Sequence, residues 1–125
     1  MNKVEGKEPT DQLDAYFDLF RKIHGKGERM CPGGSFAAVF DAVSSPVQRR
    51  LHSFSQMHLQ WLERVVREGV ERGEFHIGDQ RPRDVAMHVL AGVQGALLMG
   101  RLTQDPHVID TVAVELRSYL SSTGA

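Results

Sequence analysis

Residues 85–100 read VAMHVLAGVQGALLMG, and only His88 and Gln94 among them are polar. The run is shorter than the roughly 18–20 apolar residues a membrane span needs, so no membrane association is expected. It reads instead as part of a buried helix. A helix that is apolar all round must be covered all round. Gly92, Ala96 and Gly100 lie four apart, a line of nearly bare backbone where another helix could pack very close. Working outward, Pro82 opens this helix and about Thr103 closes it. Everything else in the chain has to supply its cover.

The neighbouring segments also read as helices, and none reads as a strand. A first helix spans residues 10–24, with Thr10 as N-cap, Asp11 in the first turn and Gly25 as stop. Leu13, Tyr16, Phe17, Phe20 and Ile23 recur on one face at helical spacing. Residues 25–34, GKGERMCPGG, are too rich in glycine for a regular element. A short helix follows, with Phe36, Val39, Phe40 and Val43 on one side. Ser45, Pro46 and Gln48 form a capping-box start for a long third helix, with its proline in the tolerated first position. Its stripe is Val47, Leu51, Phe54, His58, Trp61, Leu62, Val65 and Gly69, and Gly73 stops it after Arg72. Phe75 and Ile77 pin the following connection to the core. A fifth helix starts after Asp105, with Pro106 first in the helix, and carries a broad apolar face from Val108 to Leu120.

The expected architecture is therefore all-α, a five-helix bundle over residues 10–121. Residues 1–9 read as a flexible remnant of a connecting segment, and 122–125 as a frayed tail. Two faces exceed what one chain of 125 residues can cover: the whole surface of the fourth helix and the wide face of the fifth. A second copy pairing these helices into a four-helix, two-fold bundle is the simplest solution. The interface candidates are His88, Gly92, Ala96 and Met99, with Ile109, Val112, Leu116 and Tyr119 from the fifth helix.

Composition narrows the function. Lys and Arg number 15 against 16 Asp and Glu, so the chain lacks the basic excess of a nucleic-acid-binding surface. The N-terminus has no apolar signal core, and the lone Cys31 can make no disulfide within the chain, which places the expected location in the cytoplasm. No two histidines sit three or four apart, no Glu-x-x-His pair occurs, and CPGGS lacks the lysine and spacing of a phosphate loop. No metal, no cofactor and no catalysis are expected. His58 and Gln94 are polar groups on apolar stripes, either satisfied core residues or polar anchors of an apolar pocket. Phe17, Phe20, Phe54, Met57 and Trp61, with Met87 and Leu90 across from them, are either plain core or the adaptable lining of that pocket.

The ordered pieces CPGGSFAAVF, SPVQRRLHSF, WLERVVREGVERGEF and DVAMHVLAGVQGALLMGRLTQDP resemble the C-terminal domain of TetR-family transcriptional regulators. The resemblance covers roughly residues 10–121. It implies a ligand-binding and dimerisation domain whose last two helices form the dimer bundle and whose preceding helices hold a small, often apolar effector. It also implies a helix-turn-helix of about fifty residues ahead of this domain. That segment is not in this sequence, so this chain alone is expected not to bind DNA. The leading expectation is the regulatory half of a TetR-like regulator, of repressor type. The alternatives are a free-standing protein that heterodimerises with intact regulators, and a small carrier of apolar ligands.

Overall fold

The computed structural model describes residues 8–24 and 44–121. Among these residues there are four helices and no strand: α1, Pro9–His24; α2, Ser45–Glu71; α3, Pro82–Thr103; and α4, Val108–Ser121. The glycine-rich loop and the short helix expected between α1 and α2 lie outside the described residues, as do the tail and most of the leading segment.

The helix bounds follow the breakers in the sequence more closely than the caps. The 27 residues of α2 make a rod about 40 Å long. Its N-cap is Ser44 rather than Ser45, and no side chain caps it. The expected capping box is not formed; Pro46 alone marks the start, because a first-turn N–H has no helical partner to lose. Thr10 lies inside α1, which begins at Pro9. α4 begins at Val108, not Pro106: the Asp105 carboxylate accepts the His107 N–H at 2.9 Å, and the chain turns there before the helix starts. α3 runs over the expected span and ends on Gln104 in the left-handed region, φ 55°.

α3 is the hub, packing chiefly on α2 and α4 and touching α1. Val85, Ala86, Val89, Leu90, Val93, Ala96, Leu97 and Gly100 make its buried side. Leu13, Tyr16, Phe17 and Phe20 of α1 close the core against α2. Polar groups tie down the ends of α1. The Glu74 carboxylate accepts the Thr10 hydroxyl at 2.6 Å and the Thr10 N–H at 3.2 Å. A carboxylate at a helix N-terminus is favourably placed against the helix dipole, and the bond from Thr10 holds its pKa below the ordinary carboxylate value. Arg21 reaches Asp110 at 2.5 Å, and Arg117 reaches Asp14. Both pairs bridge α1 to α4.

The connection after α2 is folded back by one close approach. The Gly69 carbonyl accepts the N–H groups of Glu74 (2.8 Å) and Phe75 (3.0 Å), with Gly73 at φ 74° making the bend. The Phe75 ring then lies where a side chain on residue 69 would go: a Cβ there would sit 2.1 Å from its Cδ2. Phe75 and Ile77 are buried, as expected, and the His76 N–H donates to the Leu120 carbonyl at 2.8 Å.

At an open helical position, Gly→Ala stabilises by about 1 kcal/mol. Gly69→Ala is expected to do the reverse, costing about 1–3 kcal/mol in urea unfolding, because the Phe75 ring must move. Phe75→Leu added to Gly69→Ala should cost less than the two single changes summed. Strict additivity would mean the two residues do not collide.

Candidate functional site

The seam between α1 and α2 gathers five ring-bearing side chains. Tyr16 and Phe20, one turn apart on α1, meet Phe54, His58 and Trp61 on α2. Tyr16 stacks on Trp61 with ring centroids 5.3 Å apart and meets Phe20 edge-on at 4.9 Å. Phe54 lies 4.2 Å from the His58 ring, and Phe20 6.2 Å from it. Such tilted and edge contacts suit the charge distribution of aromatic rings. Phe54 is half-buried and forms the outer wall, whereas Phe20 and Trp61 are buried.

One polar pair sits inside this ring cluster. The Tyr16 hydroxyl and His58 Nδ1 are 2.8 Å apart. His58 is 5% exposed, and its Nε2 takes no hydrogen bond among the described residues. Burial holds its pKa below the ordinary 6.5, because the charged form loses its hydration. At pH 7 the imidazole is neutral, and either nitrogen can carry the proton. If the Tyr16 hydroxyl donates to Nδ1, Nε2–H is a donor; if Nδ1–H donates to Tyr16, Nε2 is an acceptor.

The other expected pocket residues divide. Phe17 is buried beside Tyr16, at 6.5 Å between ring centroids, and Leu90 is buried on α3. Gln94 has both amide atoms buried with no hydrogen-bond partner among the described residues. Met57 and Met87 are not drawn into the cluster; both are exposed at about half their surface, 54% and 48%. Tyr16 was missing from the expected pocket. Its one signal in the sequence is a hydroxyl on an otherwise apolar face. Among the described residues no three His, Cys, Asp or Glu side chains gather as a metal site.

The expected interface residues largely serve the chain's own α3–α4 seam. Ala96, Ile109 and Leu116 are buried within one chain. A Cβ on Gly92 would lie 3.2 Å from Leu116 and 3.6 Å from Val112, so this part of the bare-backbone line is taken by the chain's own α4. His88 stands 5.0 Å from the Tyr119 ring, whose hydroxyl donates to Gln80 Oε1. Met99 is exposed. The surface α3 leaves uncovered is a different stripe: Met87, Ala91, Leu98 and Leu102, spaced by four, seven and four residues, with Met99 beside them. Leu102 is 66% exposed, and Gly95, on the same side, has nothing among the described residues within 4 Å of where a Cβ would be. By length and composition alone α3 could also cross a membrane, but its inner side is occupied by α2 and α4.

A family model described as the tetracyclin repressor-like C-terminal domain matches residues 9–116. No curated protein and no solved structure matches the chain.

The neutral state of His58 makes stability depend on pH. Its pKa is lower folded than unfolded, so its contribution is complete above about pH 6.5 and is lost as pH falls from there through the folded value. Chemical denaturation between pH 7.5 and 5 should show stability falling in the wild-type chain, and falling less steeply in His58→Gln. Equal slopes would mean that His58 titrates normally.

Proposed function

The chain belongs to the tetracyclin repressor-like C-terminal domain family, and from that premise we propose that it is the effector-binding and homodimerisation half of a transcriptional regulator. The observation that carries the reading is the uncovered apolar stripe of α3. Met87, Leu98 and Leu102 face outward on a helix whose opposite side is already core. Ala91 and Gly95 keep the middle of that stripe low, so two copies of α3 could approach closely about a two-fold axis, with α4 flanking.

The effector site in this reading is the Tyr16–His58 seam, and the polar ties of α1 couple it to the dimer. A molecule entering between α1 and α2 displaces α1. Arg21–Asp110 and Arg117–Asp14 carry that displacement to α4, which borders the dimer face. In a repressor the effector would prefer the arrangement that spaces two helix-turn-helix segments wrongly for the operator, and operator affinity would fall by the same coupling. The operator contact belongs to those segments and not to the helices of this domain, and the site of action is the cytoplasm.

Size-exclusion chromatography with light scattering tests the assembly. The wild-type chain is expected at twice the mass of one chain. Leu98→Glu with Leu102→Glu should run as a folded monomer with unchanged helical circular dichroism, because neither side chain belongs to the internal core. A wild-type monomer, or a double variant that remains dimeric, would remove the reading.

A further inference from the structure

A groove of about 480 Å³ runs along the first half of α2, and among the described residues Ser45, Gln48, Arg49, His52 and Ser53 line it. These positions recur at three and four residues, so they share one face of the helix. At 3.6 residues per turn that face is turned about half a circle from the one that carries Phe54, His58 and Trp61. The groove is therefore distinct from the α1–α2 seam, and it stands whether or not that seam takes an effector.

Its chemistry is one-sided. Each of the five side chains can donate a hydrogen bond, and Arg49 adds a permanent positive charge. No aspartate or glutamate occurs in residues 44–62. The next carboxylate along α2 is Glu63, about 15 Å of helix beyond Ser53. Screening at physiological salt acts over about 8 Å, so Glu63 does little to offset the charge of Arg49. The other helices do not supply a counter-charge either. No carboxylate among the described residues pairs with Arg49, Arg50 or His52. Farther along α2 the pattern is different: Arg67 is paired with Glu63, and Arg72 with Glu8 and Glu68.

A groove of donors with uncompensated positive charge favours an anion. The guanidinium fork matches the oxygens of a carboxylate or a phosphate, and charge-assisted hydrogen bonds are about twice as strong as neutral ones. The volume falls within the range of small-molecule sites, about 300–1,000 Å³, so an organic body fits beside the anionic head. The stem of Arg49 and the ring of His52 offer apolar surface to that body.

We propose that this groove is a second binding site, which takes a small organic anion, a phosphate ester or a carboxylate, with Arg49 as its charge partner and His52, Ser45 and Ser53 as further donors.

The full chain, labelled with nitrogen-15, is titrated at pH 7 and fixed ionic strength with phenyl phosphate, benzoate and phenol, and its amide signals are followed by NMR. Saturable shifts centred on residues 45–53 are expected with an anion and not with phenol. Arg49→Gln should weaken binding of that anion about tenfold or more. Arg64→Gln, an exposed arginine farther along α2 that pairs with no carboxylate among the described residues, should leave it unchanged. The tighter of phenyl phosphate and benzoate names the anion the groove takes, and either supports the proposal. Phenol bound as tightly as both anions would make the groove an apolar site and overturn it. Equal weakening by Arg49→Gln and Arg64→Gln would reduce the effect to the overall charge of α2, and overturn it too. No saturable shift at residues 45–53 with either anion overturns the site, while the seam and the dimer remain standing.

Discussion

Cover for α3 is the constraint on which the other placements depend. The helix is apolar around nearly its whole circumference, and the chain that carries it is small. The long α2 and the shorter α4 take two flanks, and α1 reaches the space between them. That arrangement buries one side and leaves Met87, Leu98, Met99 and Leu102 in water. Each such side chain, 37–66% exposed, forgoes part of the roughly 1.5–3 kcal/mol that full burial would provide. The fold therefore solves half of the problem among the described residues and leaves the other half exposed. A tight α3–α4 seam, with Leu116 against Gly92, is what turns the remaining apolar residues into one continuous stripe.

α1 is attached in a different manner. Its middle is apolar and aromatic, and its ends are held by charges and hydrogen bonds that stay in contact with water. Exposed ion pairs contribute little each, so Arg21–Asp110 and Arg117–Asp14 serve direction more than stability. Arg21 holds the Asp110 carboxyl below its ordinary pKa, so the tie persists until acid pH. The same helix closes the core, with Leu13, Phe17 and Phe20 buried. The Tyr16–His58 pair lies in its seam, where a buried hydrogen bond is dearly lost and specifically replaced.

Much of this was legible in the residues, and the limits are instructive. The long helices were legible because Pro46, Gly73 and Pro82 act through local backbone geometry. The caps were not: whether Ser45 or Asp105 bonds the first-turn amides depends on dihedral angles that residue type does not specify. The apolar period placed Phe17, Phe20, His58 and Trp61 on inward faces, since one helix suffices to read a period. The partnership of Tyr16 with His58 spans 42 residues of chain and two helices, and no local pattern encodes it. The surplus of apolar surface on α3 could be counted, but its division between the chain's own α4 and the outside is set by packing. Ala96, Ile109 and Leu116 went inward for that reason, and the open side fell to Ala91, Gly95, Leu98 and Leu102.

The most direct test of the central claim is a crosslink across the open stripe. In a Cys31→Ser background, a single cysteine is introduced either by Ala91→Cys on the outer side of α3 or by Leu19→Cys on the exposed side of α1, and each protein is oxidised mildly. Two copies meeting through α3 bring residue 91 close enough for a disulfide, which needs Cα atoms within about 7 Å. The account predicts a covalent dimer from Ala91→Cys and monomer from Leu19→Cys. Crosslinking through residue 19 but not 91, or through neither, would contradict it.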